Sequence, residues 1–335
     1  MSVEKYLGCT RRALLQGGVA LGAAAAFPAR IWAAAPGAAV IKKAIPSTGE
    51  LIPVMGIGTN DLGRISYDDA ARILLAMHDM GGTLIDTAAE YGRSEEFIGR
   101  ALAENKLTSD MFIATKFNVL PTTTALPPGA PPGADPPEMI TPEDSFKRSM
   151  ERLKKIDLMF AHHLTGVEEL MPLLLELKRQ RRVRYIGITS VEDEESPQVL
   201  EFMHKYPLDF IQVGYSLGNR VNEKDVFPLA RERRIAVMAA APLGGHPVGT
   251  IGKHNSSSLM SQVKGRELPP WAAQFGAGNW AQLFLKYVLS HPDVTCAIAG
   301  ASTLAHVQDN QAAGLGRLPD ADMRRRIESY WASLS

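Results

Sequence analysis

The sequence predicts a single-domain (β/α)8 barrel, the fold also called a TIM barrel. After residue 50, short apolar or β-branched runs alternate with longer amphipathic stretches, and this alternation continues through most of the 335-residue chain. Alternating strands and helices over about 250 residues are typical of this barrel. A doubly wound sheet shows the same alternation, but no Gly-x-Gly-x-x-Gly motif follows the first predicted strand, so we favour the barrel.

The predicted strands are short runs with few polar residues. Strands of a parallel sheet are buried on both faces, so they are expected to be apolar throughout rather than alternating. The eight runs that fit this description are Val54–Gly58, Thr83–Asp86, Met111–Lys116, Asp157–His162, Arg184–Thr189, Phe210–Val213, Ala236–Ala240 and Thr295–Ala299.

The stretches between the strands carry apolar residues at helical spacing. In one of them Leu170, Leu173, Leu174 and Leu177 recur at i, i+3, i+4 and i+7, which marks one buried helix face. The segment Ala38–Pro53 precedes the first barrel strand, and we expect it to form a hairpin that closes the bottom of the barrel. The predicted helices are Tyr67–Met80, Ser94–Glu104, Glu143–Leu153, Glu168–Arg179, Val221–Arg233, Trp280–Leu289 and Leu304–Ala313.

Residues 1–39 are typical of an export signal, and residues 40–335 are predicted to be the barrel domain. Arg11 and Arg12 precede an uncharged stretch rich in Ala and Gly, and small residues follow as far as Ala39. The paired arginines indicate the twin-arginine export machinery and a periplasmic location. The 17 residues between Arg12 and Arg30 barely suffice to cross a bilayer. We therefore expect a cleaved signal, with its cleavage point open, rather than a stable membrane anchor or a frayed helix.

The charge balance and the cysteine count limit the partners and ligands that the chain is expected to bind. Lys+Arg and Asp+Glu both count 36, so the chain has no basic excess with which to neutralise a polyanion, and no nucleic-acid partner is expected. Cys9 and Cys296 are too few for a disulfide framework or a zinc cage, and no metal site is predicted. These features indicate a globular enzyme or a binding protein for a small molecule.

Two connections are unusually long for a barrel. Pro121–Pro142 is rich in proline, and Ala241–Asn279 is rich in glycine and serine. Both follow a predicted strand, so both belong at the carboxyl-terminal face of the barrel, where active sites lie. We expect them to form walls of an active site, because long loops in that position commonly do so.

Polar residues interrupt the apolar pattern at the carboxyl ends of three predicted strands. Asp86, Lys116 and His162 each end a strand, and Tyr91 follows Asp86 by five residues. The carboxyl ends of all barrel strands meet at one face. We therefore expect these four side chains to converge at one mouth.

A carboxylate, a lysine, a tyrosine and a histidine in one mouth are suited to carbonyl chemistry. A tyrosine hydroxyl titrates at about pH 10, and a buried ammonium beside it favours the phenolate. With Asp86 holding Lys116 charged, Tyr91 can give a proton to a carbonyl oxygen or take one from an alcohol. His162 can supply a second hydrogen bond to the same oxygen.

The ordered set of motifs resembles the aldo-keto reductase family. The resemblance runs from about Gly56 to Ala313 and implies a (β/α)8 barrel that carries out NAD(P)H-dependent reduction of a small carbonyl compound, or the reverse oxidation. The matching motifs are Asp86-Thr87-Ala88 with Tyr91-Gly92, Thr115-Lys116, Asp157-Leu158 with His162, Ile186-Gly187-Ile188, Gln212-Val213, Pro242-Leu243-Gly244 and Asp309-Asn310.

The same resemblance implies roles for individual residues. Tyr91 is the general acid, which Asp86 and Lys116 tune. His162 orients the carbonyl, whereas His163 has no such role and is expected to be structural. The residues that the resemblance assigns to an NADP or NAD cofactor are Gly58, Thr59, Thr189, Ser190, Gln212, Pro242, Leu243, Gly244, Gly300, Ser302, His306, Asp309 and Asn310.

The chain departs from the family pattern on this cofactor side. Thr189-Ser190 replaces the usual Ser-Asn pair, and Ala240 stands where an aromatic residue commonly stacks on the nicotinamide. No lysine or arginine falls near Gly300, Ser302 or His306 to clamp a 2′-phosphate. NADP is favoured by the resemblance and NAD stays open. The alternative is an exported barrel that has lost nicotinamide chemistry and acts as a ligand-binding or accessory protein.

Overall fold

The sheet structure consists of an antiparallel hairpin followed by a closed barrel of eight parallel strands. The computed structural model describes residues 38–117, 140–164, 166–244 and 258–334. The hairpin pairs β1, Lys42–Ala44, with β2, Leu51–Pro53. The barrel strands are β3 (Met55–Gly58), β4 (Leu84–Asp86), β5 (Phe112–Lys116), β6 (Leu158–Ala161), β7 (Tyr185–Ser190), β8 (Phe210–Gly214), β9 (Ala236–Ala240) and β10 (Val294–Gly300).

The barrel closes because β10 pairs in parallel with both β9 and β3. On the closing pair, Ala297 lies opposite Met55 and Gly300 lies opposite Gly58. Every other barrel strand pairs with its neighbours along the chain, so all eight strands run in one direction and their carboxyl ends share one rim. The predicted (β/α)8 barrel is confirmed.

The hairpin closes the amino-terminal end of the barrel, as the sequence predicts. Ile45 and Ile52 are buried and belong to the same apolar cluster as the side chains inside the barrel. Thr48, in the hairpin turn, shares a hydrogen bond of 3.0 Å with the hydroxyl of Tyr185 at the start of β7. Apolar packing therefore seals this end, opposite the rim that carries the polar strand ends.

Helices surround the barrel, and most of them bury one apolar stripe against it. In the helix with the leucine stripe, Leu170, Leu174 and Leu177 are buried, as the helical spacing predicts. The helices in the described residues are α1 (Tyr67–Asp79), α2 (Ser94–Glu104), α3 (Pro142–Leu153), α4 (Val167–Arg179), α5 (Ser196–Lys205), α6 (Val226–Glu232), α7 (Leu259–Gln262), α8 (Trp280–Leu289), α9 (Leu304–Ala313) and α10 (Ala321–Ala332).

The prediction of one helix over Val221–Arg233 is wrong. The segment divides into a 3₁₀ turn, Val221–Glu223, and the short helix α6. An unbroken helix would place Pro228 in its interior, where the ring clashes with the carbonyl four residues earlier. Beginning α6 at Val226 puts Pro228 in the first turn, where its missing N–H costs nothing.

Apart from the four-residue helix α7, which lies in a segment predicted as a loop, the sequence pattern misses two helices, α5 and α10. In α5 three apolar side chains are buried, Val199, Phe202 and Met203, and this stripe is too short to stand out. In α10 only Arg324 and Ile327 are buried, so most of the helix is polar and its periodicity is weak. Both helices are held by tertiary contacts more than by their own pattern.

Several predictions concern residues outside the described part of the chain. The signal at residues 1–39 lies outside it except for its last two residues, and so does nearly all of Pro121–Pro142. Of Ala241–Asn279 the described portion includes α7 and a 3₁₀ helix, Pro270–Phe275. Among the described helices, none combines the length and the apolar character needed to cross a bilayer.

Candidate active site

A buried ion pair joins the carboxyl ends of β4 and β5. The ammonium Nζ of Lys116 donates to Asp86 Oδ2 at 2.6 Å and to the carbonyl oxygen of Thr87 at 2.8 Å. Lys116 and Asp86 are 0 % and 2 % exposed. Burial alone would lower the pKa of Lys116, but the adjacent carboxylate outweighs it and holds that pKa above its ordinary value. The lysine is therefore charged, and removing either partner leaves a lone charge in the barrel.

Tyr91 lies beside this ion pair, in the turn that follows β4. Its ring centroid is 5.2 Å from Lys116 Nζ, and its hydroxyl oxygen accepts a hydrogen bond from that ammonium. The backbone N–H of Tyr91 donates to the carbonyl of Ala88, which holds the turn. Burial raises the pKa of the Tyr91 hydroxyl above its ordinary value, and the charge of Lys116 opposes that rise only in part. Tyr91 is therefore a protonated phenol at neutral pH.

His162 follows directly after β6 and completes the predicted group. Its ring lies 6.0 Å from the Tyr91 ring in an edge-on arrangement, and the residue is 4 % exposed. Burial lowers the pKa of His162 to about 4, so the imidazole is neutral at neutral pH. The structure thus brings Asp86, Tyr91, Lys116 and His162 together, as their positions at strand ends predict.

Two further residues border this group: Glu90, which no sequence prediction includes, and His163, which the resemblance leaves with a structural role. Glu90 Oε1 lies 3.0 Å from His162 Nδ1 and 3.5 Å from His163 Nε2. The His163 ring stacks on His162 with a centroid distance of 3.8 Å. Burial opposes ionisation of Glu90, but the two imidazoles outweigh it and hold the pKa of this carboxyl well below its usual range. The one sequence signal for Glu90 is its place directly before Tyr91.

Gln212, predicted as a cofactor contact, lies inside the group formed by Asp86, Tyr91, Lys116 and His162. Its Nε2 donates to Asp86 Oδ1 at 2.8 Å and approaches the sulfur of Met238 at 3.1 Å. Asp86 consequently accepts hydrogen bonds at both carboxylate oxygens. Thr59, another predicted cofactor residue, donates from its hydroxyl to the Asp86 carbonyl at 2.9 Å. The structure therefore ties both residues to the position of Asp86.

Most of the other predicted cofactor residues lie around the same rim, at or just after the carboxyl ends of β3, β7, β9 and β10, whereas His306, Asp309 and Asn310 lie within α9. Thr189 and Ser190 are buried at the end of β7. The Thr189 hydroxyl accepts from the backbone N–H of His163 at 3.1 Å, and the Ser190 hydroxyl donates to Glu195 at 2.6 Å. After β9 the segment Pro242-Leu243-Gly244 turns sharply, with Gly244 at φ +67°.

The turn from β10 into α9 offers open backbone on the rim. A Cβ added at Gly300 would meet no atom within 4 Å, and Ser302 and His306 are exposed. Asn310 donates to the Gly300 carbonyl at 3.1 Å. The Asp309 carboxylate is occupied by donors from the start of α8, so it serves packing between α8 and α9. Open glycine backbone before a ten-residue helix fits a phosphate group.

One known protein family matches most of this sequence. The sequence profile described as "Aldo/keto reductase family" matches residues 54–331, which is most of the chain. The chain belongs to the aldo/keto reductase family. It is accordingly an oxidoreductase, and curated relatives carry the names of reductases and dehydrogenases.

Individual relatives of this aldo/keto reductase are distant. It is 28 % identical to aldo-keto reductase str7 of Strobilurus tenacellus over 58 % of this chain, and it spans only 59 % of that relative's length. It is 27 % identical to the NADH-specific methylglyoxal reductase of Escherichia coli, over 76 % of this chain and 86 % of the relative. An aldo-keto reductase of Klebsiella pneumoniae solved with NADPH shares the fold, with a TM-score of 0.62 and 21 % identity over 87 % of this chain and 95 % of that one.

Proposed function

We propose that this aldo/keto reductase reduces an aldehyde or ketone to the alcohol, or runs the reverse oxidation, with NADPH or NADH. The observation that carries the proposal is the buried pair of Lys116 and Asp86, 2.6 Å apart, beside the Tyr91 hydroxyl. A buried ion pair is costly to keep, and a protein that only binds a ligand gains nothing from one placed against a phenol. This argues for the enzyme over the ligand-binding or accessory protein.

Tyr91 is the proton donor in the direction of reduction. Its raised pKa keeps the hydroxyl protonated at neutral pH, which a general acid requires. Once the proton has moved to the substrate oxygen, the phenolate is left beside the charged Lys116, which stabilises it. In the reverse direction the same phenolate takes the proton from the alcohol.

His162 and Asp86 position the groups that take part in this proton transfer. The neutral imidazole of His162 lies edge-on to Tyr91 and is placed to hydrogen-bond the same substrate oxygen. Asp86 serves to hold Lys116 charged and in position. In this proposal Tyr91 and His162 contact the substrate, and Asp86 is a positioning residue.

The rim around the catalytic group is where we place the cofactor. A nicotinamide dinucleotide would supply the hydride, since no side chain of this group is a redox agent. Thr189 and Ser190 would border the nicotinamide, and the backbone at Gly300 with the start of α9 would hold a phosphate. The NADPH complex of the Klebsiella structure and the NADH specificity of the E. coli relative support either cofactor.

One experiment separates the enzyme from the binding protein. NADH and NADPH oxidation is followed with a panel of aldehydes, ketones, quinones and sugars, and cofactor binding is measured by calorimetry. We expect turnover with at least one carbonyl class, and a loss of about 10²–10⁴-fold in Tyr91→Phe with nearly unchanged cofactor affinity. Wild-type protein that binds neither cofactor would favour the binding protein, and full activity in Tyr91→Phe would refute the role of the tyrosine.

We also propose that the protein is exported through the twin-arginine route to the periplasm. The support is Arg11 and Arg12 followed by a short Ala- and Gly-rich stretch. Replacing both arginines by lysine keeps the charge and should trap the precursor in the cytoplasm. Fractionation of cells that produce the two forms tests this, and unchanged periplasmic yield from the lysine form would contradict it.

A further inference from the structure

Three side chains with metal-binding atoms converge beside Tyr91. They are Glu90, from the turn after β4, and the consecutive residues His162 and His163, which follow β6. Their nearest nitrogen and oxygen atoms all lie within 4.8 Å of one another. The group combines two imidazoles with one carboxylate, a ligand set found in three-ligand zinc sites.

Two of the three distances within the group are close to those of a metal coordination sphere. Glu90 Oε1 lies 3.0 Å from His162 Nδ1 and 3.5 Å from His163 Nε2. Two ligand atoms of a tetrahedral zinc ion, each bound at about 2.0–2.1 Å, are separated by about 3.3 Å. The third separation, between the nitrogens of His162 and His163, is within 4.8 Å, and the His163 side chain is 46 % exposed, so it has room to adjust on binding an ion.

The backbone explains why two consecutive histidines lie on the same side. In a strand, successive side chains point to opposite faces. Here β6 ends at Ala161, and His163 and Leu164 adopt left-handed conformations with φ of +54° and +53°. This turn stacks the two rings at 3.8 Å and brings both of them to Glu90.

A separate observation points to a ligand at this place. His162 is 4 % exposed, and within the described part of the chain its Nδ1 has no hydrogen-bond partner. The Glu90 oxygen is near enough, at 3.0 Å, but it lies outside hydrogen-bonding geometry. A buried nitrogen in a native protein normally has a partner. A cation shared between this nitrogen and the carboxylate would satisfy both atoms.

We propose that Glu90, His162 and His163 bind a divalent transition-metal ion, with Zn²⁺ as the best-fitting ion. Imidazole nitrogen suits Zn²⁺, and three protein ligands leave a fourth position for water or another ligand. Lys116 is already paired with Asp86, so the charge of Glu90 is left to balance the cation. This site goes beyond the proposed carbonyl chemistry and does not depend on it.

The test is metal binding by the full chain, produced without a histidine tag. Co²⁺ is titrated in and followed by the visible absorption of tetrahedral Co²⁺, and Zn²⁺ is then used to displace it in a calorimeter. We expect one equivalent bound, and affinity lowered by more than about tenfold in both Glu90→Gln and His163→Gln. His78→Gln is the matched control, because His78 faces a single carboxylate, Asp110, at 3.6 Å without a second imidazole. It should bind as the wild type does.

The outcomes are separable from those of the carbonyl assay, because the readout is metal binding rather than turnover. Wild-type protein without a tetrahedral Co²⁺ spectrum would overturn the proposal, and so would unchanged affinity in both site variants. Circular dichroism of each variant establishes that it is folded. Glu90 and His163 are both partly exposed, so their amide replacements leave no cavity in the barrel.

Discussion

Gln212 and Asp86 are joined across the interior of the barrel by a hydrogen bond of 2.8 Å from Nε2 to Oδ1. They come from β8 and β4, which lie four positions apart in the ring of eight strands and hence on opposite sides. Lys116 occupies the other oxygen of the same carboxylate. The orientation of Asp86 is therefore set by two side chains from different parts of the barrel.

This relationship predicts the effect of replacing Gln212. In Gln212→Leu the Asp86 carboxylate loses one donor in a buried site, which should lower the free energy of unfolding by about 1–3 kcal/mol. Because the residue acts through Asp86, kcat should fall while cofactor affinity changes little. Urea denaturation and cofactor titration check the two parts. The exposed Gln308→Leu is the control. A variant of unchanged stability that only loses cofactor affinity would favour the direct cofactor contact that the sequence suggests.

From the Lys116–Asp86 ion pair we predict that replacing the second partner restores the stability lost on replacing the first, but does not restore activity. Lys116→Met leaves a buried carboxylate without its ammonium and should lower the free energy of unfolding by about 3–5 kcal/mol. Adding Asp86→Asn removes the lone charge and should restore much of that loss. Activity should stay low in both variants, because the phenolate of Tyr91 has no neighbouring cation. Denaturant titration and turnover measurements test this. If the double variant is active, Lys116 has no essential role in the mechanism.

The residues of the rim beside Gly300 predict a weak preference in binding affinity between NADPH and NADH. Ser302 and His306 are exposed and the segment 300–310 contains no lysine or arginine, so wild-type protein should bind the two cofactors with affinities within about tenfold. Ser302→Arg should shift the ratio toward NADPH by about tenfold or more, as a charge-assisted hydrogen bond contributes about 1.5–3 kcal/mol. Ser302→Gln is the uncharged control. An equal ratio of NADPH affinity to NADH affinity in all three proteins would show that the 2′-phosphate binds elsewhere.

His291 predicts part of the pH dependence of stability. Burial and the charge of Arg324 lower its pKa to about 4, and its Nδ1 accepts the backbone N–H of Asp293. The unfolded chain carries a histidine of ordinary pKa, about 6.5, and so binds the extra proton between pH 6.5 and 4. This contribution to stability is therefore complete above pH 6.5 and is lost as the pH falls.

Comparison with a variant isolates that contribution. Between pH 7 and pH 5 wild-type protein should lose about 1–2 kcal/mol more free energy of unfolding than His291→Gln. The exposed His204→Gln should follow the wild type. Urea titrations at the two pH values measure the difference. Parallel pH dependence in all three proteins would show that His291 does not carry it.

Prediction from the sequence succeeds where burial produces a simple pattern of apolar residues. The barrel strands are recognisable because both of their faces are buried, so their runs are mostly apolar. Asp86, Lys116 and His162 stand out for the same reason, as polar residues at the ends of such runs. By contrast, α5 and α10 rest on few buried side chains, and their patterns are too weak to detect.

The sequence by itself determines the barrel, the rim to which its polar strand ends belong, and the four residues of the proposed catalytic group, because these follow from apolar periodicity and from the order of motifs. Only the tertiary structure decides the contacts among them. It places the Gln212 amide on Asp86 and brings Glu90 within reach of His162 and His163. These contacts depend on strand register, on left-handed turns after a strand and on closure of the sheet, and such features join residues that are far apart in the chain.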